Sequence, residues 1–470
     1  MNFDQIEFVP ALQQALQTMQ YTTLTPIQEA IIPRLLQHQD LIVQSKTGSG
    51  KTLAYALPVL QNITFESFTP QALILVPTRE LAQQVTRTFD SLGLYLHTHH
   101  QMLIGKQSFR DQRDDLKRRT HVVIATPGRL LQHINEQTID LSKISCLILD
   151  EADEMFHLGF RTTLEKILAT LPHSIQTCCL SATFPEEIKC FIDQHFPSAK
   201  WIQHDAQTIP QQLHQQFFLM EETQRFSALL DLLQAHPIQR CIIFVNTIEQ
   251  AQTLSDQLQS LQLLACPLHG KQTQEERFAS LQHFKDGNMR ILVASNVAAR
   301  GLDIFDVSLI VNYDFPLTIQ AYIHRVGRTA RMEKEGLAVS FLTKGQRSLF
   351  EQLQQAFPSL SLSKAVFSKT YSLDALRIPL KKKEQREDLL FANVTKLCIF
   401  AGKSKKIRPG DLLGALCSID GITKEDIGVI KVQEHNSYVD ILNGKGTLAF
   451  EELQNRTIKN KHIRVEYAKQ

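Results

Sequence analysis

The sequence predicts an α/β protein built from two tandem parallel-sheet domains followed by a small α+β domain. Short apolar, β-rich runs at residues 41–43, 72–76, 122–125, 146–149 and 177–180 alternate with helical stretches. A second set at 241–245, 265–268, 291–294, 309–312 and 338–342 repeats that rhythm. Each run ends in a polar or Gly/Pro-bearing loop, as in a parallel sheet whose strand C-termini carry the chemistry. From Thr395 the order becomes strand 396–400, helix 411–417, strands 429–432 and 438–441, helix 447–454 and strand 462–467.

The domain boundaries follow from composition. The polar stretch 205–212, which contains Pro210, separates the first domain (1–206) from the second (213–357). A polar, Ser-rich connection (358–394) leads to the third (395–470), whose βαββαβ order is the RNA-recognition-motif plan.

At 470 residues, with 43% hydrophobic and 21% charged residues, the chain is an ordinary globular protein long enough for several cores. The N-terminal stretch carries Asp4 and Glu7 and lacks the order of a signal peptide, and no apolar run approaches the roughly 20 residues that span a bilayer. Eight cysteines form no CxxC pair, and Cys178 and Cys179 are adjacent. Neither a zinc site nor a disulfide framework is indicated, so a reducing cytoplasm is expected. The net charge of +2 is uneven: from residue 371 onward 18 Lys and Arg face 13 Asp and Glu, a net +5, against 32 and 35, a net −3, in the rest. The tail is the polyanion-seeking part. The mixed-sign run 381–388 reads as a solvated linker or helix face.

The loop Ser45, Lys46, Thr47, Gly48, Ser49, Gly50, Lys51, Thr52 follows the first apolar run. Its glycines let backbone N–H groups turn toward an anion, and the next helix presents its positive end to the same anion. In this pattern Lys51 reaches the β- and γ-phosphates of ATP and the Thr52 hydroxyl ligates Mg²⁺. Ser45 stands where Gly or Ala is usual, and a small side chain fits there. A Gly-rich surface turn is the alternative, against which the strand in front and the acidic strand end at Asp150, Glu151, Ala152 and Asp153 both weigh. There Asp150 is placed to hold Mg²⁺ through water, Glu151 to orient and deprotonate the attacking water, and Asp153 to bond across the site.

In the second domain, His324, Arg325, Val326, Gly327, Arg328, Thr329, Ala330 and Arg331 form a cationic segment. Arg328 and Arg331 share a helical face and could both reach a γ-phosphate held by the first domain, making hydrolysis depend on closure. A basic face paired with local acids is the alternative.

Taken together the chain resembles the DEAD-box RNA helicases over residues 1–345. The resemblance is carried by Thr25, Pro26, Ile27 and Gln28, by the phosphate loop, and by Pro77, Thr78, Arg79, Glu80, Leu81 and Ala82. It continues through Thr126, Pro127, Gly128 and Arg129, the acidic strand end, and Ser181, Ala182 and Thr183. In the second domain it rests on residues 244–247, Gln274 with Arg277, 298–303 and 324–331. It implies two RecA-like domains with ATP and Mg²⁺ as cofactors and RNA as partner. Gln28 would read adenine, with Tyr21 and Phe3 as stacking partners, and Gly301 and Asp303, the latter on the ribose, would complete a nucleotide site begun by the phosphate loop. The residues alone also allow Gln28 a capping box, with Thr25 at N-cap and Pro26 at N1. Thr78, Arg79, Gly105, Thr126, Gly128 and Arg129 in the first domain, and Asn246, Thr247, Arg277 and Ser295 in the second, are the implied RNA contacts. Such contacts read phosphate and 2′-OH, with little sequence preference. Asp153, Ser181, Thr183, His324 and Arg325 would couple hydrolysis to domain movement.

Four positions depart from the family pattern: Gln20 and Lys106 replace glycines, Lys271 an aspartate, and Ser295 with Asn296 a Thr-Asp pair. These bear on interdomain coupling and leave the reaction type unchanged. The tail, through residues 397–401, Lys403, Lys405, Lys406, Arg408, 409–416 and 426–428, resembles the C-terminal domain of the bacterial DEAD-box protein A subgroup. That implies an RRM-like domain binding a 23S ribosomal RNA hairpin during large-subunit assembly. Tyr438 alone stands where the common motif has several aromatics, so the basic loop 403–408 is the expected contact surface. A basic turn without a ligand is the alternative. The expected activity is RNA-dependent ATP hydrolysis with local duplex unwinding, without membrane, DNA or an obligate protein partner. An ATP-gated RNA clamp and a general cold-adaptation helicase without rRNA specificity are its rivals.

Overall fold

The computed structural model describes residues 1–45, 48–203, 212–236, 238–295, 307–330, 335–358, 360–363, 372–380, 393–459 and 461–468. Strands β1 (Leu41–Gln44), β2 (Ala72–Leu75), β3 (His100–Leu103), β4 (Val122–Ala125), β5 (Cys146–Asp150), β6 (Gln176–Ser181) and β7 (Lys200–Gln203) form one sheet in the order β3-β4-β2-β5-β6-β1-β7. All its pairings are parallel. Side chains alternate between two cores: Ile42, Leu73 and Leu75 face one, while Val43 and Ile74 face the other. This two-sided burial is why the strands read as continuous apolar runs. The sequence pattern missed β3 and β7. Both are edge strands with partly exposed residues, so polar side chains such as His100, Gln101, Lys200 and Gln203 are tolerated and no apolar run marks them.

The second domain repeats the plan with β8 (Leu213–Leu219), β9 (Cys241–Val245), β10 (Ala265–Leu268), β11 (Ile291–Ser295), β12 (Leu309–Asn312), β13 (Gly336–Leu342) and β14 (Leu362–Ser363). They are parallel in the order β10-β11-β9-β12-β13-β8-β14. The unexpected β8 carries Gln215 and Gln216 in mid-strand, which breaks its apolar pattern.

In the tail, β15 (Thr395–Ile399), β16 (Ile427–Val432), β17 (Ser437–Ile441) and β20 (Val465–Tyr467) make an antiparallel sheet ordered β16-β17-β15-β20. Helices Pro409–Cys417 and Gly446–Asn455 cover its inner face, burying Leu412, Leu416 and Leu453 against Leu397, Ile399, Val439 and Ile441. The expected single strand 462–467 is instead two pieces. Here β19 (Lys461–His462) pairs with β18 (Thr457–Ile458) in a hairpin, and the chain then changes partner to join β15 as β20.

The three units touch. Leu442, just after β17, is fully buried in the first domain's apolar cluster with Leu92 and Leu94, and Val394 packs on the same cluster. Arg277 of the second domain bonds Glu80 of the first at 2.9 Å. Among the described residues no helix is long and apolar enough to cross a membrane. The eight cysteines form no disulfide. The expected linker run 381–388, most of the boundary stretch 205–212, and Asn296 lie outside the described residues.

Candidate active site

The loop after β1 is shaped by two left-handed glycines, Gly48 (φ 78°) and Gly50 (φ 92°), and helix Lys51–Gln61 begins directly behind it. Glycine suits position 50 because its φ of 92° strains any L side chain, and a Cβ there would also push on Gln28 Nε2 at 2.6 Å. Ser45 Oγ lies 2.8 Å from Ser49 Oγ, so the hydroxyl that departs from the usual pattern closes the loop on itself. The buried Lys51 ammonium donates to the Ser45 carbonyl at 2.8 Å, curled over the cradle an anion would fill.

Gln28 uses both ends of its amide. Its Oε1 accepts from the Thr25 backbone N–H at 2.8 Å in the capping box, while Nε2 donates to the Gly50 carbonyl at 3.2 Å. The capping role and a place at the nucleotide loop therefore coexist. Phe3 N–H donates to the Thr22 carbonyl at 3.0 Å, which sets the Phe3 and Tyr21 rings edge to face at 6.1 Å. Thr47, Gly301, Asp303 and Arg331 lie outside the described residues.

Asp150 is buried at the end of β5 and accepts a 2.9 Å hydrogen bond from Tyr55. Burial raises its pKa, opposed first by the Lys51 ammonium and then by the Tyr55 hydroxyl. The Thr52 side chain is close enough to lower the pKa of the same phenol, which burial and Asp150 raise, so the two expected Mg²⁺ ligands converge beside Tyr55. A sequence pattern gives no sign of Tyr55 except its place one turn after Lys51 on the helix face that turns inward. Among the described residues no three His, Cys, Asp or Glu side chains cluster as a metal site. A buried carboxylate next to a hydroxyl and an anion cradle fits Mg²⁺, which keeps waters and shares phosphate oxygens.

Glu151 adopts a left-handed backbone (φ 55°, ψ 54°) as the N-cap of helix Ala152–His157, which turns its carboxyl out of the strand line. Burial pushes its pKa up to about 7, and the Arg328 guanidinium of the second domain is the strongest opposing influence. A carboxyl near 7 is suited to accept a proton from water at neutral pH. Asp153 Oδ2 accepts from Thr183 N–H (3.0 Å) and Thr183 Oγ1 (2.8 Å), and its own N–H donates to Ser181 Oγ (3.2 Å). His324 Nε2 of the second domain stands 3.8 Å from the same carboxylate oxygen. The acids, the β6 terminus and the second domain thus meet at Asp153.

Arg328 is buried, with Nε donating to the His324 carbonyl at 3.3 Å. Arg325, expected to couple the domains, is buried and anchored within the second. It donates to Asn312 Oδ1 (3.0 Å), the Asp314 carbonyl (2.7 Å) and Asn246 Oδ1 (2.9 Å). Asn246, expected on RNA, is held in that network by the Asp314 carboxylate and the Phe315 carbonyl, while Thr247 beside it is an exposed N-cap. Ser295 is buried at the end of β11.

In the first domain the expected RNA residues gather at the C-terminal ends of β2 to β4. Thr78 caps helix Arg79–Leu92, Thr126 precedes helix Pro127–Asn135 with Gly128 exposed in its first turn, and Gly105 lies against the Arg79 guanidinium. Arg129 is pinned by Gln112 Oε1 (3.0 Å) and the Gln107 carbonyl (3.1 Å). Burial lowers the pKa of Arg79 against the opposing pull of Glu80, and repulsion from Arg277 and Arg129 adds to the lowering, so three guanidiniums from the two domains gather around one carboxylate. In the tail, Lys403, Lys405, Lys406 and Arg408 are exposed, and Lys459, which the sequence pattern did not single out, donates to the Lys406 carbonyl at 2.8 Å. The two departures from glycine keep glycine-like backbones: Gln20 has φ 56° and Lys106 φ 60°. Lys271 pairs with Glu249 at 2.7 Å on the surface.

A phosphate loop facing an acid pair, completed by arginine from a second parallel-sheet domain, defines an ATP-driven motor, and the chain belongs to the DEAD-box ATP-dependent RNA helicases. The DEAD/DEAH box helicase family matches residues 25–191, the helicase conserved C-terminal domain 224–333, and the DbpA RNA binding domain 396–467. The chain is 37% identical to the ATP-dependent RNA helicase DbpA of Bacillus subtilis over 97% of its length and 96% of the relative's. It is 37% identical to the DbpA of Escherichia coli, covering 98% of each. Among solved structures, Saccharomyces cerevisiae Dbp5 bound to RNA and ADP BeF3 is similar at 29% identity and TM-score 0.71, over 77% of this chain and 95% of that one. The chain is an RNA helicase of DbpA type that binds nucleotide and RNA and carries its own RNA-binding domain.

Proposed function

We propose that this helicase is targeted by its tail to a 23S ribosomal RNA hairpin and remodels large-subunit precursors in the cytoplasm. The observation that carries this is the exposed basic loop Lys403, Lys405, Lys406 and Arg408 on a domain matching the DbpA RNA-binding family. With Mg²⁺ bound by Thr52 and Asp150, the ion would offset charge on the β- and γ-phosphates. Lys51 orients those phosphates, Glu151 takes the proton of the attacking water, and Arg328 approaches from the second domain to balance developing charge. Asp153, Ser181, Thr183, His324 and Arg325 would transmit the change at the γ-phosphate to the domain interface. Thr78, Arg79, Gly105, Thr126, Gly128, Arg129 and Arg277 would hold the RNA backbone. The nonspecific motor gains its target because a tethered tail raises the local concentration of one hairpin.

The test compares ATP turnover stimulated by a 23S hairpin fragment and by a scrambled RNA, in the native chain and in a variant with the four tail cations replaced by glutamine. Preference for the hairpin that disappears in the variant is expected, with a flatter salt dependence of binding. Equal stimulation by both RNAs in the native chain would make the protein a general RNA helicase.

A further inference from the structure

The rear of the first domain, at the N-terminal ends of β2, β3 and β4, carries a surface unused by the nucleotide and RNA chemistry above. Planar groups are layered there. The His99 and His121 rings stack at 5.9 Å with an 11° tilt, and His121 stacks on Phe65 at 5.4 Å. The Arg119 guanidinium then lies over both Phe65 (4.9 Å) and Phe68 (4.4 Å). Phe68 ends the stack and is 68% exposed, leaving a bare aromatic face.

The platform is fixed in advance. His121 Nδ1 accepts from the His99 N–H at 2.9 Å, so in the neutral ring Nε2 carries the hydrogen and donates to the Phe65 carbonyl at 3.0 Å. The Gln71 amide clips the loop through Thr64 at 2.9 and 2.8 Å. Burial, helped by the neighbouring His121, holds the His99 pKa down to about 4, and burial lowers His121 and His97 as well, so neutral flat rings make up this part of the layer. At the far end His97 neighbours Lys424, on the RNA-binding domain that Leu442 docks against this same domain. Lys117 and Arg118, exposed just before Arg119 in the chain, pair with Asp114 at 2.8 Å and Asp115 at 3.0 Å, so Arg119 is the cation that meets the ring.

We propose that this strip is a further RNA-binding surface beside the core and the tail, taking single-stranded RNA with a nucleobase stacked on Phe68 and its phosphates running past Arg119 toward Lys424. An exposed planar ring backed by a guanidinium matches a base and its phosphate, whereas a protein side chain would need an apolar pocket to seat it. Its place beside the RNA-binding domain would let it guide RNA leaving that domain.

The experiment uses the full chain without nucleotide and two oligouridines, one of about 10 nucleotides that fills a single core groove and one of about 30 that reaches beyond it. Phe68→Ala and Arg119→Gln are expected to weaken the long RNA about tenfold while leaving the short one, and ATP turnover at saturating short RNA, unchanged. Photo-crosslinking of a long oligomer containing 4-thiouridine is expected to label residues 62–71. Equal affinities of native chain and variants for the long RNA, or crosslinks confined to the core and tail, would overturn the proposal. Loss of short-RNA binding in the variants would do so too, by placing their effect in the core.

Discussion

Glu80→Gln tests whether the ion pair between the domains competes with RNA. Arg277 and Glu80 meet at 2.9 Å with side chains 14% and 5% exposed. At an effective dielectric of about 20 their gross attraction is about 6 kcal/mol, but desolvation offsets most of it, and a charge-assisted hydrogen bond contributes about 1.5–3 kcal/mol net. An RNA phosphate at Arg277 must displace Glu80, so the pair stabilises only the RNA-free state. Removing it should therefore tighten RNA binding by about tenfold, the lower end of that range because Arg277 keeps some water contact. Because Arg277 meets the phosphate in both chains, the logarithmic salt slope should be little changed. Affinity for single-stranded RNA across a salt series reads both quantities, and Arg277→Ala should bind RNA more weakly. The reasoning fails if Glu80→Gln binds no tighter than the native chain, or if its effect survives in an Arg277→Ala background.

Other outcomes follow from the same geometry. Lys51→Ala should abolish ATP binding, read by nucleotide titration, and near-native affinity would remove Lys51 from the phosphate site. Glu151→Gln should bind ATP and RNA yet hydrolyse slowly. Because Glu151 is the base only when ionised, kcat/KM in the native chain should rise with pH through about 7. Arg328→Ala removes the cation that favours the ionised carboxyl and should move that limb to higher pH, so a limb moving lower contradicts the assignment. Thr183→Val deletes the 2.8 Å bond to Asp153 and should lower duplex unwinding more than ATP turnover, and a parallel loss of both would deny a coupling role. Lys106→Gly relieves a left-handed backbone (φ 60°) and should raise stability by about 0.5–1 kcal/mol in urea unfolding, with a lower midpoint counting against strain there.

The fold class and the chemistry of the nucleotide site were legible in the chain because both are local. Parallel strands buried on two faces need unbroken apolar runs, a phosphate cradle needs Gly48, Gly50 and Lys51 in succession, and a strand-end acid site needs Asp150 and Glu151 side by side. Edge strands β3 and β7 were not legible, since one paired side and partial exposure remove the apolar signature. Tertiary structure alone decided which distant residues meet. It placed Tyr55 on Asp150, Arg277 on Glu80, Arg325 on Asn312 and Asn246, and Leu442 in the core of another domain. Those contacts join elements far apart in sequence, and no local periodicity encodes them. Only folding sets the distances and the burial that move Glu151 toward neutrality and aim Arg328 at it.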